Sequence, residues 1–441
     1  MSANRVISFI PHDRLVPWRS EIASHWNLVP LKYIIEINQR SLDENTEDTR
    51  KIRYIDIGNV NSNGSIIGTD EFEFGQAPSR ARRIVSQGDT LISTVRTYLK
   101  AIAFCDVQDE ELICSTGFAV LSPGNNINPR FLFYWARSLY FIDEVVSRST
   151  GVSYPAINAS EIGSLPFPII SSISQRRIAA FLDEKTAEID ELIAMKEQQV
   201  ALLQRKRMAL ISRAVTKGLD PHAPMRDSGI EWLGEVPQGW ECIRLRYLAH
   251  IKYGLGQPPA QLDGGLPLLR ATNVYRGSIS TDGLIFVDPE DIPYARDPIL
   301  KTNDILVVRS GAYTGDSAII PHEYDGAIAG YDMVIRIKKA NAHYVAYSLL
   351  SIPLLENQIN VFRMRAAQPH LNAEELGDCI LFIPPHEIQN EIVAYLDRET
   401  AHIDSLVATI QEQIEKLGTY RQALITAAVT GKIDVRDVKI L

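Results

Sequence analysis

The chain has little cysteine, no long apolar run and no excess of basic charge. Four cysteines (Cys105, Cys114, Cys242, Cys379) are scattered over 441 residues, and none falls in a C-x-x-C pair. That spacing excludes a disulfide framework and a cysteine-built structural zinc, and fits a reducing cytoplasm. No stretch of about 18 apolar residues occurs, so no membrane-spanning helix is expected. The opening MSANRVISFIPHDR lacks the apolar core and small-residue cleavage site of a secretory signal. The net charge of −9 argues against a simple nucleic-acid coat protein. By segment the balance is −3 over residues 1–170, +2 over 171–220, −4 over 221–377 and −4 over 378–441. Any contact with nucleic acid must therefore use local patches, or a basic partner that supplies much of the phosphate attraction. The first segment does prefer arginine, with 13 Arg against 3 Lys. Arginine is the cation suited to bidentate contact with guanine edges and phosphates.

Catalytic signatures are missing as well. There is no G-x-x-x-x-G-K-[ST] phosphate loop. Gly254-x-Gly256 lacks the third glycine of a dinucleotide site and reads as a loop. There is no Asn- or Asp-Pro-Pro-Tyr tetrapeptide of the amino-methyltransferase kind. The nine histidines form no pair at metal-ligand spacing. Asp183-Glu184-Lys185 is the nearest thing to a nuclease triplet, and it falls on the outer face of a long helix. No catalytic residue and no metal ligand is nominated.

What is present is a tandem repeat. QRRIAAFLDEKTAEIDELI from Gln175 matches QNEIVAYLDRETAHIDSLV from Gln389, an offset of 214. The same offset relates Trp18 to Trp232, Glu21 to Glu235, Trp26 to Trp240, Asn59 to Asn273 and Asn158 to Asn372. Elsewhere the register slips by one residue, pairing Asp89 with Asp304 and Gly117-Phe118 with Gly330-Tyr331. Self-similarity held over such distances is a duplicated structural unit. Each copy has a variable globular part and a better-matched helical part. The expected boundaries are 1–170 and 221–382 for the globular parts, and 171–220 and 383–441 for the helical parts.

The helical parts carry apolar residues at coiled-coil spacing. The seam is read as Ile189, Leu192, Leu203 and Leu210 in the first copy, interrupted by Lys196 and Arg207. In the second it is Ile403, Leu406, Ile410, Leu417 and Leu424. Ser172, three residues before Gln175, has the spacing of a capping box; Pro384-Pro385 suits the second helix start. Gly218 and Gly431 mark the helix ends. About 32 residues at about 1.5 Å each give a rod of roughly 48 Å. The globular parts, with short runs such as KIRYIDIG, DTLISTV and DMVIRI followed by apolar helices, read as α+β domains.

Three stretches carry a specific likeness: TKGLDP from Thr216 through DSGIEWLGEVPQGW ending at Trp240; the F-L-D-x-x-T-x-x-I-D segment at 181–190, echoed with Tyr395 at 395–404; and the closing VTGKIDVR from Val429. Together they resemble the specificity subunit of type I restriction–modification systems, over nearly the whole chain. The resemblance implies two target-recognition domains, each reading half of a split asymmetric site in double-stranded DNA. It implies an antiparallel coiled coil of the two helices with pseudo-two-fold symmetry. Two modification subunits would dock on those helices, carrying S-adenosylmethionine and adenine-N6 methylation. Restriction subunits with ATP and Mg2+ would join them in a prokaryotic cytoplasm. The chain itself would be non-catalytic and hold no cofactor. The roughly 48 Å rod corresponds to about 14 base pairs at about 3.4 Å each, a ruler between half-sites. The alternative is an adaptor that grips two copies of a partner without reading DNA; a stand-alone enzyme ranks third.

On this reading the DNA-facing candidates of the first module are Arg96, Thr97, Tyr98 and Lys100 after a strand, the cluster Arg80, Arg82 and Arg83, and the loop Arg148, Ser149, Ser153 and Tyr154. In the second they are Arg309, Ser310 and Tyr313, then Arg363, Arg365, Gln368 and His370, with Arg270 and Asn273. These segments mix cations, hydroxyls and aromatics, as DNA-facing loops do. Asn158 and Asn372 are either helix caps or base readers. Trp26 and Trp240 are expected in the core.

Overall fold

The structure is a computed structural model, and it describes residues 18–109, 111–363 and 369–435. Two compact units result. One comprises residues 1–196 with 412–441, the other 197–411. Each therefore contains a globular part and a stretch of both long helices.

The first unit is built on a four-stranded sheet made from β1 (Ile35–Ile37), β2 (Thr90–Ser93), β3 (Ile102–Phe104) and β4 (Phe118–Pro123), in the spatial order β1-β4-β2-β3. β2 is buried on both faces, which suits its TLIS sequence. A second sheet orders Asp70–Glu73, Lys51–Ile55, Leu112–Ser115 and Ala81–Ile84, with a parallel pair at its centre. Asn27–Pro30 pairs with Pro166–Ile169 and closes the module. The second unit repeats the plan with β5 (Ala249–Tyr253), β6 (Ile305–Val307), β7 (Ser317–Ile319) and β8 (Met333–Ile337), ordered β5-β8-β6-β7. Here too a parallel pair stands beside it, Gln261–Leu269 with Ile328–Ala329, and Glu241–Arg244 closes on Ile380–Ile383. The expected α+β module, present twice, is what the chain folds into.

The long helices run Ser172–Lys217 and His386–Val429, 46 and 44 residues. They exceed the roughly 32-residue rod because their first turns are inside the globular cores: Ile178, Ala179 and Leu182 in one, Ile392 and Leu396 in the other, are buried. Gln175 is not part of a capping box. Ser171 caps the helix, its Oγ accepting from Ser174 N at 3.1 Å. The Gln175 side chain instead accepts from Asn128 N at 2.8 Å, and Gln389 does the same for Asn341 N at 2.8 Å. Asn128 and Asn341 are the N-caps of the helices Pro129–Ala136 and Ala342–Leu349, so each glutamine ties a long helix to the head of a globular helix.

The shared F/Y-L-D-x-x-T-x-x-I-D segment is explained in the same way. Tyr134 Oη donates to Asp183 at 2.7 Å and lies 3.2 Å from Thr186 Oγ1; Tyr347 Oη donates to Asp397 at 2.7 Å and lies 3.2 Å from Thr400 Oγ1. Asp183, read as an outward residue, thus holds the helix to its own module. The last aspartate reaches the other long helix. Arg421 makes a two-pronged bond to Asp190 at 2.9 and 3.0 Å in the first unit. In the second, Arg207 does so to Asp404 at 3.0 and 3.3 Å. With Lys196 Nζ on Gln413 at 2.6 Å, the partners in the first unit run in opposite directions, so the helices pair antiparallel there. Lys196 and Arg207 do not interrupt the seam; they bond across it.

Ile189, Ile403 and Leu424 are buried in the seam, and Leu203, Leu210, Ile410 and Leu417 are half-buried. Leu192 and Leu406, expected in the seam, stand outside it, 38% and 39% exposed. Ile193 and Val407 are the less exposed members of those turns. The 3.6-residue turn moves an apolar stripe off a strict heptad within a few turns. Gly218 and Gly431 end the helices at φ +75° and +77°, where a side chain would be strained. Gly431 lies against Trp26, and Gly218 against Trp240, both buried.

Candidate nucleic-acid interface

Each module offers a surface at one end of its main sheet, where the ends of three strands converge. Strand pairing gives the equivalences. Ile92 faces Ala119 and Val307 faces Met333 in matching ladders, which makes Thr94 the counterpart of Arg309 and Gly117 that of Tyr331. The bridges Val95–Ala156 and Ser310–His370 make Ala156 the counterpart of His370. Gly117-Phe118 therefore matches Tyr331-Asp332, one residue from the pairing that the Gly–aromatic motif suggested.

In the first module these positions are small, and a cavity of about 480 Å³ opens there, lined by Asp56, Arg80, Ser93, Val95, Arg96, Ser115, Gly117, Phe118 and Tyr154. The Arg96 guanidinium stacks on the Tyr154 ring at 4.9 Å. Arg96 and Lys100 flank a short turn at φ +49° and +53°, conformations uncommon outside glycine, and between them Tyr98 points outward, 52% exposed. Arg80, Arg96, Tyr98, Lys100, Ser153 and Tyr154 are all exposed. The structure thus brings three sequence candidates, Arg80, Arg96 and Tyr154, to one cavity. Others serve the scaffold. Thr97 is buried and its Oγ1 is 2.8 Å from Ser149 Oγ, which itself donates to Val145 O at 2.7 Å. Arg148 is held by Glu144 at 2.8 and 3.0 Å and by Ser164 Oγ at 3.1 Å. Arg82 lies over the Phe74 ring at 4.5 Å, and Arg83 is half-buried in the strand beside Cys114. Neither lines the cavity.

In the second module the same sheet end is filled. The Arg309 guanidinium lies between the rings of Tyr253 and Tyr331, 4.5 and 4.3 Å from their centroids. Its Nη2 is 3.2 Å from His370 Nε2. Its backbone N–H donates to Asp332 Oδ1 at 3.2 Å, and burial pushes the Asp332 carboxyl up to about 6. Tyr313 is half-exposed on the following turn, and Ser310 is bridged to His370. Asn273 is fully buried: its Oδ1 accepts from Arg270 N at 3.2 Å and its Nδ2 donates to Ser280 O and Asp282 O, so it shapes a turn and cannot read a base. Arg270 is tied to Gly283 O at 2.8 Å. Arg365, Gln368 and the side chain of Arg363 lie outside the described residues. Asn372 caps the helix Ala373–Asp378 through a box with Glu375, and Glu161 accepts from Asn158 N at 3.0 Å in the matching place, so both are helix caps.

The sequence reading found Arg309 and His370 but missed Tyr253, Tyr331 and Asp332. Tyrosines at strand ends carry no motif, and strand register alone places them. Among the described residues no group of His, Cys, Asp or Glu could hold a metal ion, and no helix is long and apolar enough to cross a membrane.

Two copies of one scaffold, fastened to paired helices by the same residues but furnished differently at the same sheet end, define a tandem recognition protein. The chain belongs to the family described as type I restriction modification DNA specificity domain, whose profile matches residues 23–202 and again 237–416. It has two target-recognition modules and a DNA-recognition role. Relatives include the type I restriction enzyme EcoKI specificity subunit of Escherichia coli, 22% identical over 73% of this chain and 69% of that one. The type I restriction enzyme MjaIX specificity subunit of Methanocaldococcus jannaschii is 21% identical over 81% of this chain and 80% of that one. These relatives are specificity subunits, which are non-catalytic. A solved chain from work on complex assembly and conformational transition of the type I R-M system has a TM-score of 0.69 at 22% identity, covering 93% of this chain and 99% of its own, and so shares the fold.

Proposed function

We propose that each module reads one half of a split DNA site, through the sheet end described above. The first half-site meets Arg80, Arg96, Lys100 and Tyr154; the second meets Arg309, Tyr313 and the neighbouring tyrosines. The paired helices set the spacing and dock two modification subunits, and restriction subunits join that core. Methyl transfer from S-adenosylmethionine, and the ATP- and Mg2+-dependent steps, belong to those partners, with this chain supplying position alone.

The observation that supports this reading is the contrast between fastening and furnishing. The anchoring residues recur in both copies with the same partners, as in Gln175 and Gln389, or Tyr134 and Tyr347. The sheet-end residues do not recur: the first module has Thr94 and Gly117 where the second has Arg309 and Tyr331. Two different readers on one frame suit two different half-sequences. The experiment is an exchange of residues 1–165 for those of a relative in the assembled complex, followed by sequencing of methylated DNA. One half of the recognised sequence should change and the other stay. Simultaneous change of both halves would refute the assignment of one module to one half-site.

A further inference from the structure

Arg309 differs from three other arginines of its unit. Arg244, Arg246 and Arg336 pair with carboxylates, Arg336 on Asp304 at 2.8 Å. Among the described residues no carboxylate lies within ion-pair distance of Arg309. Its guanidinium carbon instead lies over the rings of Tyr253 and Tyr331, 4.5 and 4.3 Å from their centroids. Its Nε is buried with no hydrogen-bond partner among the described residues. The mounting is rigid: the Arg309 carbonyl accepts from Leu371 N at 2.8 Å, and Tyr253 Oη accepts from Ala373 N at 2.9 Å. The rings themselves are 41% and 47% exposed, so the group stands at the surface.

A guanidinium packed over two aromatic rings keeps its N–H donors for ligands that approach along its own plane. His370 takes one in-plane donor. A ligand for the rest must be planar there and offer acceptors side by side. We propose that Arg309 is a subsite for the O6/N7 edge of a guanine in the second half-site, with Tyr253 and Tyr331 fixing its direction. Bidentate arginine-to-guanine contact needs this in-plane geometry, and stacking supplies it before DNA arrives. The first module, with Thr94, Gly117 and Ala156 at the equivalent positions and an open cavity, lacks the subsite. Dependence on this guanine is thus confined to the second half. The inference rests on the reading that this sheet end faces DNA. Phosphate oxygens present similar acceptors, so the test separates the two.

The wild-type complex with its modification subunits is used first, to obtain the methylated sequence. Oligonucleotides then carry 7-deazaguanine, which lacks the N7 acceptor, at each guanine of either half-site in turn, or a methylphosphonate at each second-half phosphate. One guanine of the second half should be sensitive, weakening binding by about 5- to 150-fold. Arg309→Lys keeps the charge and loses the fork; it should bind as weakly, lose the sensitivity to 7-deazaguanine, and accept other bases at that position. Sensitivity to a methylphosphonate with none to any second-half 7-deazaguanine would overturn the guanine subsite in favour of a phosphate contact. So would an unchanged sequence preference in Arg309→Lys. If the wild-type complex recognises no split site, the DNA-reading proposal itself fails, and that result is seen before any variant is made.

Discussion

The two ion pairs across the helices are chemically alike and differently buried, which makes them a test of what burial does to such a pair. The Arg421 and Asp190 side chains are 9% and 27% exposed; those of Arg207 and Asp404 are 18% and 55% exposed. At an effective dielectric of about 20 and a charge separation of about 4 Å, the attraction in either pair is about 4 kcal/mol. Near the surface, water and side-chain entropy cancel most of it, leaving about 0.2–1 kcal/mol. In the buried pair the loss of one partner strands the other charge, which costs about 3–5 kcal/mol. Arg421→Ala should therefore destabilise the first unit by about 3 kcal/mol, and Arg207→Ala the second by about 1 kcal/mol or less. For a unit of this size, about 3 kcal/mol lowers the midpoint of melting by roughly 6–12 °C. Hydrogen exchange read by mass spectrometry assigns the loss to peptides of each unit. A cycle with Asp190→Asn should return most of the Arg421 loss as coupling. Equal losses for Arg421→Ala and Arg207→Ala would refute the argument from burial.

Three further outcomes are expected. Arg137 is buried, and burial together with the nearby Arg421 charge pushes its guanidinium down to about 10; the second module has Leu350 in its place. Arg137→Leu should stay within about 1 kcal/mol of the parent in urea unfolding, whereas Arg137→Ala should lose about 3 kcal/mol to the cavity it leaves. Gly64, at φ +86°, has Phe133 Cζ 2.7 Å and Ile102 O 2.9 Å from where a Cβ would stand; Gly64→Ala should cost about 2–4 kcal/mol, and Gly58→Ala, with open space around it, under about 0.5 kcal/mol in the same assay. The Asp332 carboxyl, raised to about 6, holds its proton more tightly folded than unfolded. Its contribution is therefore complete below about pH 4 and lost as pH rises through about 6. Asp332→Asn should match the parent near pH 4 and exceed it by about 3 kcal/mol at pH 7.5, about two units at 1.36 kcal/mol each; a pH-independent difference would contradict the assignment.

The repeat, the α+β modules and the long helices were legible because each is a pattern along the chain. The contacts that join elements were not. Arg207 reads as a flaw in an apolar stripe until Asp404 is seen across from it, and Asp183 reads as a solvated charge until Tyr134 donates to it. The same limit governs the interface. Arg309 was visible as a cation after a strand. Its tyrosine partners stand at the end of β5 and just before β8, and the ladder of β5, β6 and β8 is needed to place them. Thr97 and Asn273 sat in persuasive segments but are consumed by hydrogen bonds that composition does not reveal.

The division of the chain into units has a consequence for biogenesis. Residues 197–411 are continuous, while the other unit is assembled from 1–196 and 412–441. Its core takes in Leu424, Ile425, Ala428 and Val429 beside Trp26 and Ile178. During synthesis, residues 18–196 wait for the helix segment from 412 onward, which follows the whole of the other unit. The later module can close while the earlier one still lacks a wall. A nascent chain that has released residue 411 from the ribosome, with the following residues still enclosed, would carry a finished second unit and an unsealed first one, its apolar interior open to chaperones or to the second long helix of another chain.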